Sequence, residues 1–232
     1  SRRPSCATQS LKHLQPKPLD SSVNRHTFAP QRLLLVIIAI SVLARLGSAV
    51  YQGGGIEAMP GVTDQISYHE LAVRVLNGHG FSFGAAWWPA TRANEPTAHW
   101  SFLYVLFLAA IYSVFGPAPL AARIVQALIV GVLHPLLVWR IGRRLFNPTV
   151  GLVSAALTAV YGYFVFYAGA LVTESLYVLA FLWVLDIATA LACSTRGRHH
   201  IGSFGPWILL GLAFGVAALL RQVFLLLVPF IL

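Results

Sequence analysis

The sequence predicts an all-α membrane protein: a polytopic bundle of transmembrane helices, with an amphipathic interfacial helix in its first outer loop. Three observations carry that prediction. Hydrophobic residues make up 57% of the 232 and charged residues only 10%, with a mean hydropathy of +0.73, whereas soluble domains carry about 25% charge. The apolar residues are gathered in long blocks, not in the alternating segments of about ten residues that a transmembrane barrel needs. The basic residues behind the net charge of +9 cluster in the N-terminal tail and in two short loops between apolar blocks. That is how a membrane protein fixes its orientation; it is not a nucleic-acid footprint, and no nucleic-acid partner is expected.

Residues 1–32 are rich in Pro, Ser and basic side chains, with Arg2, Arg3, Lys12, Lys17, Arg25 and Arg32 against one acid, Asp20. They are expected to form a disordered tail at the cytoplasmic face. The apolar run that follows is too long for a leader's hydrophobic region and has no clear small-residue cleavage site, so it reads as an anchor. Residues 33–51 form the first span. Arg45 lies in its outer half, either as a functional intramembrane charge or as a side chain that snorkels to the interface. Residues 52–99 are one long outer loop. The apolar run 100–115 has a length that fits either a short span or an interfacial helix. Spans are then expected over 118–139, 150–170 and 171–193, followed by an apolar segment over 206–220. If 100–115 is interfacial, the tail, the Arg140–Arg144 loop and the Arg196–His200 loop all face the cytoplasm, as the positive-inside rule requires. The chain begins with Ser1 and stops at Leu232 inside an apolar run, so 33–232 reads as the N-terminal part of a larger transmembrane domain. Cys6 and Cys193 match no metal or redox spacing.

The outer loop contains the most patterned polar stretch. Thr63 or Asp64 caps a helix there. Tyr68, Leu71, Ala72, Val75 and Leu76 recur at i, i+3, i+4, i+7 and i+8, one apolar stripe at helical period. Glu70 and Arg74 form an i, i+4 pair on the opposite face, and Gly78 stands where the helix stops left-handed. Such a helix is too short to cross a bilayer and reads as lying on its surface.

In this topology Glu57, Asp64, Glu70, Glu95 and Glu174 lie on the outer side, and Arg221 joins them. Asp64 is a helix cap or a functional acid. Glu95, followed by Pro96 and close to His99, is a loop acid or part of a site. Glu174 sits between apolar runs, where a carboxylate is costly unless paired or facing a watery cavity. Arg221 interrupts an apolar segment and reads as a phosphate or carboxylate partner, or as an interface marker. Gly162, Gly169, Gly202, Gly205, Gly211 and Gly215 are expected to allow close helix packing. No Walker loop, Ser/His/Asp order, dinucleotide fingerprint or zinc motif is present.

Asp64-Gln-Ile-Ser-Tyr68, Leu71-Ala72 and Leu76-Asn-Gly-His-Gly-Phe81 together resemble the first outer loop of GT-C type membrane glycosyltransferases. The likeness is to family 39, which includes protein O-mannosyltransferases and aminoarabinose–lipid A transferases. Glu95-Pro96 with His99, Ala121-Ala-Arg123, Arg143-Arg-Leu-Phe146, Thr173-Glu-Ser-Leu176 and the 211–221 segment follow in order. The resemblance implies sugar transfer from a polyprenyl-phosphate donor to a lipid, glycan or protein acceptor at the outer face of a multi-pass membrane protein. For a bacterial relative that is the inner membrane, with the N-terminus cytoplasmic. It further implies Asp64 as the general base or acceptor-positioning group, Glu174 as an acceptor-binding acid, and Arg221 and Arg45 as contacts of the lipid phosphate. On the chemistry alone Asp64 or Glu95 can serve as the catalytic base, and Tyr68 and His99 are further candidate substrate-binding residues. A divalent metal held by Glu95 and Glu174 is the implied cofactor. Two departures stand out: Gln65 replaces the second acid of a frequent acidic pair, and Glu174 stands where the family often has Asp. From outside this class, a transporter or flippase half with a charged substrate path is the alternative; it predicts repeats and broken midplane helices.

Overall fold

The computed structural model describes residues 30–57, 64–89, 91–196, 204–227 and 229; the basic tail 1–29 lies outside the described residues. Among the described residues the chain forms eight α-helices and only isolated bridges, with no sheet. Helix α1 spans Pro30–Gln52 and buries Leu34, Ile37, Ser41, Arg45 and Ala49, a single stripe at helical period. Helix α2 is Asp64–Leu76, α3 is Phe102–Phe115 and α4 is Pro119–Leu145. Helices α5 (Pro148–Val160) and α6 (Gly162–Gly169) form one apolar unit, bent by 51° at Tyr161. Helix α7 is Glu174–Arg196, α8 is Gly205–Leu220, and a 3-10 turn covers Gln222–Leu227.

Three of these, α1, α4 and the Glu174–Cys193 part of α7, are long and apolar enough to cross a bilayer, and the bent α5–α6 unit makes a fourth. The segment 150–170, expected as one continuous span, is thus a broken one. Helix α8 is shorter, at 16 residues.

Contacts fix which helix ends lie together. Arg123, near the start of α4, donates to the carbonyls of Gln52, Gly53 and Gly55 at the end of α1. Leu34 and Ile37, near the start of α1, pack with Leu136 and Trp139 of α4 and with Leu152, Ala155 and Ala159 of α5. One end of the bundle therefore holds Gln52, Arg123, Glu174 and Arg221. The other holds Pro30, Arg140, Arg144 and the end of α7. There Asp186 takes Arg140 at 2.8 Å and Arg144 at 2.9 Å. Helix α3 touches the first end twice: Ser101 Oγ donates to the Leu219 carbonyl at 3.1 Å, and Tyr112 meets His69 of α2 at 2.9 Å. At 14 residues it rises about 21 Å, short of a hydrocarbon core of about 30 Å. Residues at both of its ends thus meet elements at that end of the bundle.

Helix α2 follows its sequence signals closely. It starts at Asp64 and buries Tyr68, Leu71 and Ala72 against α3. Gly78 adopts φ +79°, with Gly78 N–H to Val75 O (3.1 Å) and His79 N–H to Arg74 O (3.0 Å). These are the two bonds of a Schellman stop. Arg74 differs from expectation. It turns from Glu70 into the loop, donating to the Ser82 carbonyl at 2.6 Å and to Asn94 Oδ1 at 2.9 Å. A folded loop has backbone carbonyls to satisfy, and those acceptors outcompete a solvated surface carboxylate. Packing glycines also differ. Gly142 and Gly151 meet backbone to backbone, so that a Cβ on Gly142 would come 2.8 Å from Gly151 Cα. Gly169 packs as expected, whereas Gly162, Gly211 and Gly215 have nothing within 4 Å of a Cβ. The last two floor an open apolar groove with Trp207, Phe214 and Leu225.

Candidate active site

Two helix ends build the centre. Residues 170–173 leave α6 as a buried, non-helical turn, and Glu174 is the first residue of α7. Arg221 closes α8 in extended conformation. A carboxylate at a helix start and a guanidinium at a helix end both complement the helix dipole. The two meet: Arg221 Nη2 makes a short ion pair with Glu174 Oε1, and Arg221 Nε donates to Thr173 Oγ1 at 3.0 Å. The guanidinium also stands 5.8 Å from the centroid of the Tyr177 ring. Arg221 keeps 42% of its side chain exposed, while Glu174 keeps only 20%. Glu174 Oε2 is buried and has no protein partner. A covered carboxylate oxygen beside an open guanidinium is arranged to receive a hydroxyl and an anionic group together.

The first loop roofs this pair. Tyr68 packs edge-on to Trp100 (5.4 Å) and Tyr104 (4.9 Å). Burial pushes its hydroxyl up to about 12; hydrogen bonding to the Thr173 side chain and the Ser101 backbone pulls the other way, and the Asp64 and Glu174 carboxylates add to the rise. Asp64 is exposed one helical turn before Tyr68 on α2. Thr173, Glu174 and Arg221 thus form a contact cluster, and Asp64 and Tyr68 lie at the same end of the bundle.

The remaining expected residues make other contacts. Glu95 is exposed and pairs with Arg92 at 3.6 Å. His99 is exposed, edge-on to Trp100 at 5.4 Å. Arg45 is fully buried among α1, α4 and α5. Its guanidinium donates to Ser41 Oγ (2.6 Å) and to the Ala159 and Thr158 carbonyls (both 3.1 Å). Those carbonyls end α5 at its break. Ser41 Oγ in turn donates 2.7 Å to the Gly131 carbonyl, which Pro135 in α4 leaves without its helical amide. One serine and one arginine thereby satisfy the interruptions of two spans, as an environment without water demands. The donors for a divalent metal do not fit. Glu174 Oε1 is taken by Arg221, Glu95 stands with Arg92, and no group of three His, Cys, Asp or Glu forms among the described residues.

Three polar side chains matter more here than the sequence alone indicated. Arg123, which entered from the sequence only within the Ala121-Ala-Arg123 motif, grips the Gly53–Gly55 turn, where Gly53 takes φ +66°, and donates 3.1 Å to Gln65 Oε1. Gln65 also donates to the Glu57 carbonyl. The first turn of α2, with Asp64, is thereby tied to α4. Gln126 is fully buried between α3 and the turn after α6. The available signal was general: a polar residue inside an apolar block must find partners.

The family described as dolichyl-phosphate-mannose-protein mannosyltransferase matches residues 99–232, more than half of the chain. The chain belongs to this family. It is a membrane glycosyltransferase of the mannosyltransferase type. Thr173, Glu174 and Arg221 of this family member lie inside the matched residues, whereas Asp64 and Tyr68 precede them. No curated protein and no solved structure matches the chain.

Proposed function

We propose that this mannosyltransferase-family chain moves a sugar from a polyprenyl-phosphate donor to an acceptor at the extracytoplasmic face, using the bundle end that carries Asp64, Glu174 and Arg221. The observation that carries this reading is the Glu174–Arg221 pair, roofed by α2 at the end opposite the basic Arg140–Arg144 cluster. Basic clusters mark the cytoplasmic side, so the site faces outward, at the level of a lipid headgroup.

The chemistry follows from the residues. Arg221 meets the donor phosphate and offsets the charge that grows on it as a leaving group. Asp64 takes the acceptor proton. The acceptor oxygen forms a bond to the anomeric carbon while the bond from that carbon to the phosphate oxygen breaks. The electron pair leaves with polyprenyl phosphate, and the proton stays on the Asp64 carboxyl. Glu174 holds Arg221 through Oε1 and accepts a substrate hydroxyl at Oε2. Lipid, glycan and protein acceptors share that hydroxyl chemistry.

A transporter reading predicts broken helices, and α5–α6 is one. The Thr158 and Ala159 carbonyls at that break, however, are taken by Arg45 and are not free to coordinate a passing substrate. The test is transfer of radiolabelled mannose from polyprenyl-phosphate mannose by the full chain in lipid vesicles. D64N is expected to lower kcat about 100-fold, and R221K to raise the donor KM. Undiminished transfer in D64N, E174Q and R221K would remove the site. Movement of the lipid-linked sugar across the vesicle without transfer would favour the transporter.

A further inference from the structure

Gln126 of α4 is fully buried, as is Tyr104 of α3. Its side-chain NH2 donates to the carbonyls of Ala170 (2.8 Å), Ala168 (3.1 Å) and Tyr167 (3.3 Å). These are carbonyls at and just beyond the end of α6, which have no intrahelical amide to meet. Its Oε1 accepts from Tyr104 Oη at 2.9 Å. Tyr104 packs on Tyr68 of the first-loop helix at 4.9 Å, and Thr173 at the far end of the same turn accepts from Arg221 Nε at 3.0 Å. The contacts therefore form a chain: Tyr68, Tyr104, Gln126, the 170–173 turn and Arg221.

We propose that Gln126 is a positioning residue for transfer, fixing the turn that presents Thr173 and Glu174 to Arg221 and locking it to the first-loop roof. The inference rests on the site proposed above. A primary amide suits this place because it offers donors to the carbonyls and an acceptor to the tyrosine at once. No carboxylate or thioether does both. Without the amide, the turn loses the anchor that holds Thr173 Oγ1 under Arg221 Nε, and the guanidinium is no longer aimed by two partners.

The test uses the full chain in lipid vesicles, with transfer from polyprenyl-phosphate mannose and the folded fraction measured for each variant. Q126M and Y104F are compared with E174Q and wild type. Q126M is expected to raise the donor KM about tenfold per folded molecule, the equivalent of one misaligned charge-assisted hydrogen bond. Y104F, which removes one hydroxyl and keeps the ring packing, moves KM the same way by less. Q126E is expected to regain affinity as pH falls, because its protonated carboxyl supplies a donor to the carbonyls. A purely structural role would lower the folded fraction and leave KM unchanged. Wild-type KM in folded Q126M and Y104F, with E174Q impaired, would overturn the positioning role alone. Full activity in E174Q would overturn the site beneath it as well.

Discussion

Arg45 makes the sharpest prediction, because its two possible roles part company on one variant. The Arg45→Met substitution keeps much of the buried volume and removes the donors to Ser41 Oγ, Thr158 O and Ala159 O. Each buried carbonyl left unpaired costs about 1–3 kcal/mol. Removing a buried charge returns part of that. The net loss expected is about 3 kcal/mol of stability, with the donor KM unchanged. R45K is expected to fare little better, since an ammonium lacks the planar fork that reaches several acceptors at once. Reversible unfolding in mixed micelles, followed by far-UV circular dichroism, measures the first quantity; vesicle transfer assays measure the second. A variant that unfolds like wild type but shows a raised donor KM would refute the helix-break role. It would place Arg45 on the lipid phosphate instead.

Other predictions concern packing, charge and pH. Gly142→Ala or Gly151→Ala should cost about 1–3 kcal/mol, since each new Cβ meets backbone at 2.8 Å, while Gly162→Ala should be close to neutral; thermal unfolding in detergent distinguishes them. Asp186→Asn unpairs Arg140 and Arg144 and should destabilise by about 2 kcal/mol, moderated because Arg140 is 45% exposed; the same melts report it. Burial holds the His69 imidazole below its ordinary value, with Arg123 adding to the effect and Glu70 opposing it. The unfolded chain therefore binds the proton more readily, so this stability is complete above about pH 6.5 and is lost as pH falls below it. The difference in melting temperature between wild type and H69Q should shrink on going from pH 7.5 to pH 5.

Legibility in the sequence tracked how local the cause was. Helix α2 was readable from Asp64 to Gly78 because cap, stripe and stop all lie within fifteen residues of one another. The spans were readable from hydropathy, and the Arg221 interruption from its charge. The break at Tyr161 was not, since no proline marks it and the carbonyls it frees are met by Arg45, more than 110 residues away. Pairing of Glu174 with Arg221 depends likewise on how α7 and α8 meet. Polar residues in apolar blocks announce that partners exist; only the fold says which. Glu95 shows the converse, an acid in a suggestive local setting that pairs with a surface arginine, Arg92.

The shared capping of two interrupted spans bears on how this chain enters a bilayer. Helix α1 is made long before α5, yet its arginine, which meets only Ser41 within α1, finds its other two acceptors when the end of α5 is in place. The freed ends of α5 and α6 in turn need α1 and α4 before they can leave water. Neither piece partitions cheaply alone. Insertion is therefore cooperative across more than a hundred residues: the early helix must be held, tilted to the interface or retained by the insertion machinery, until the later one completes it.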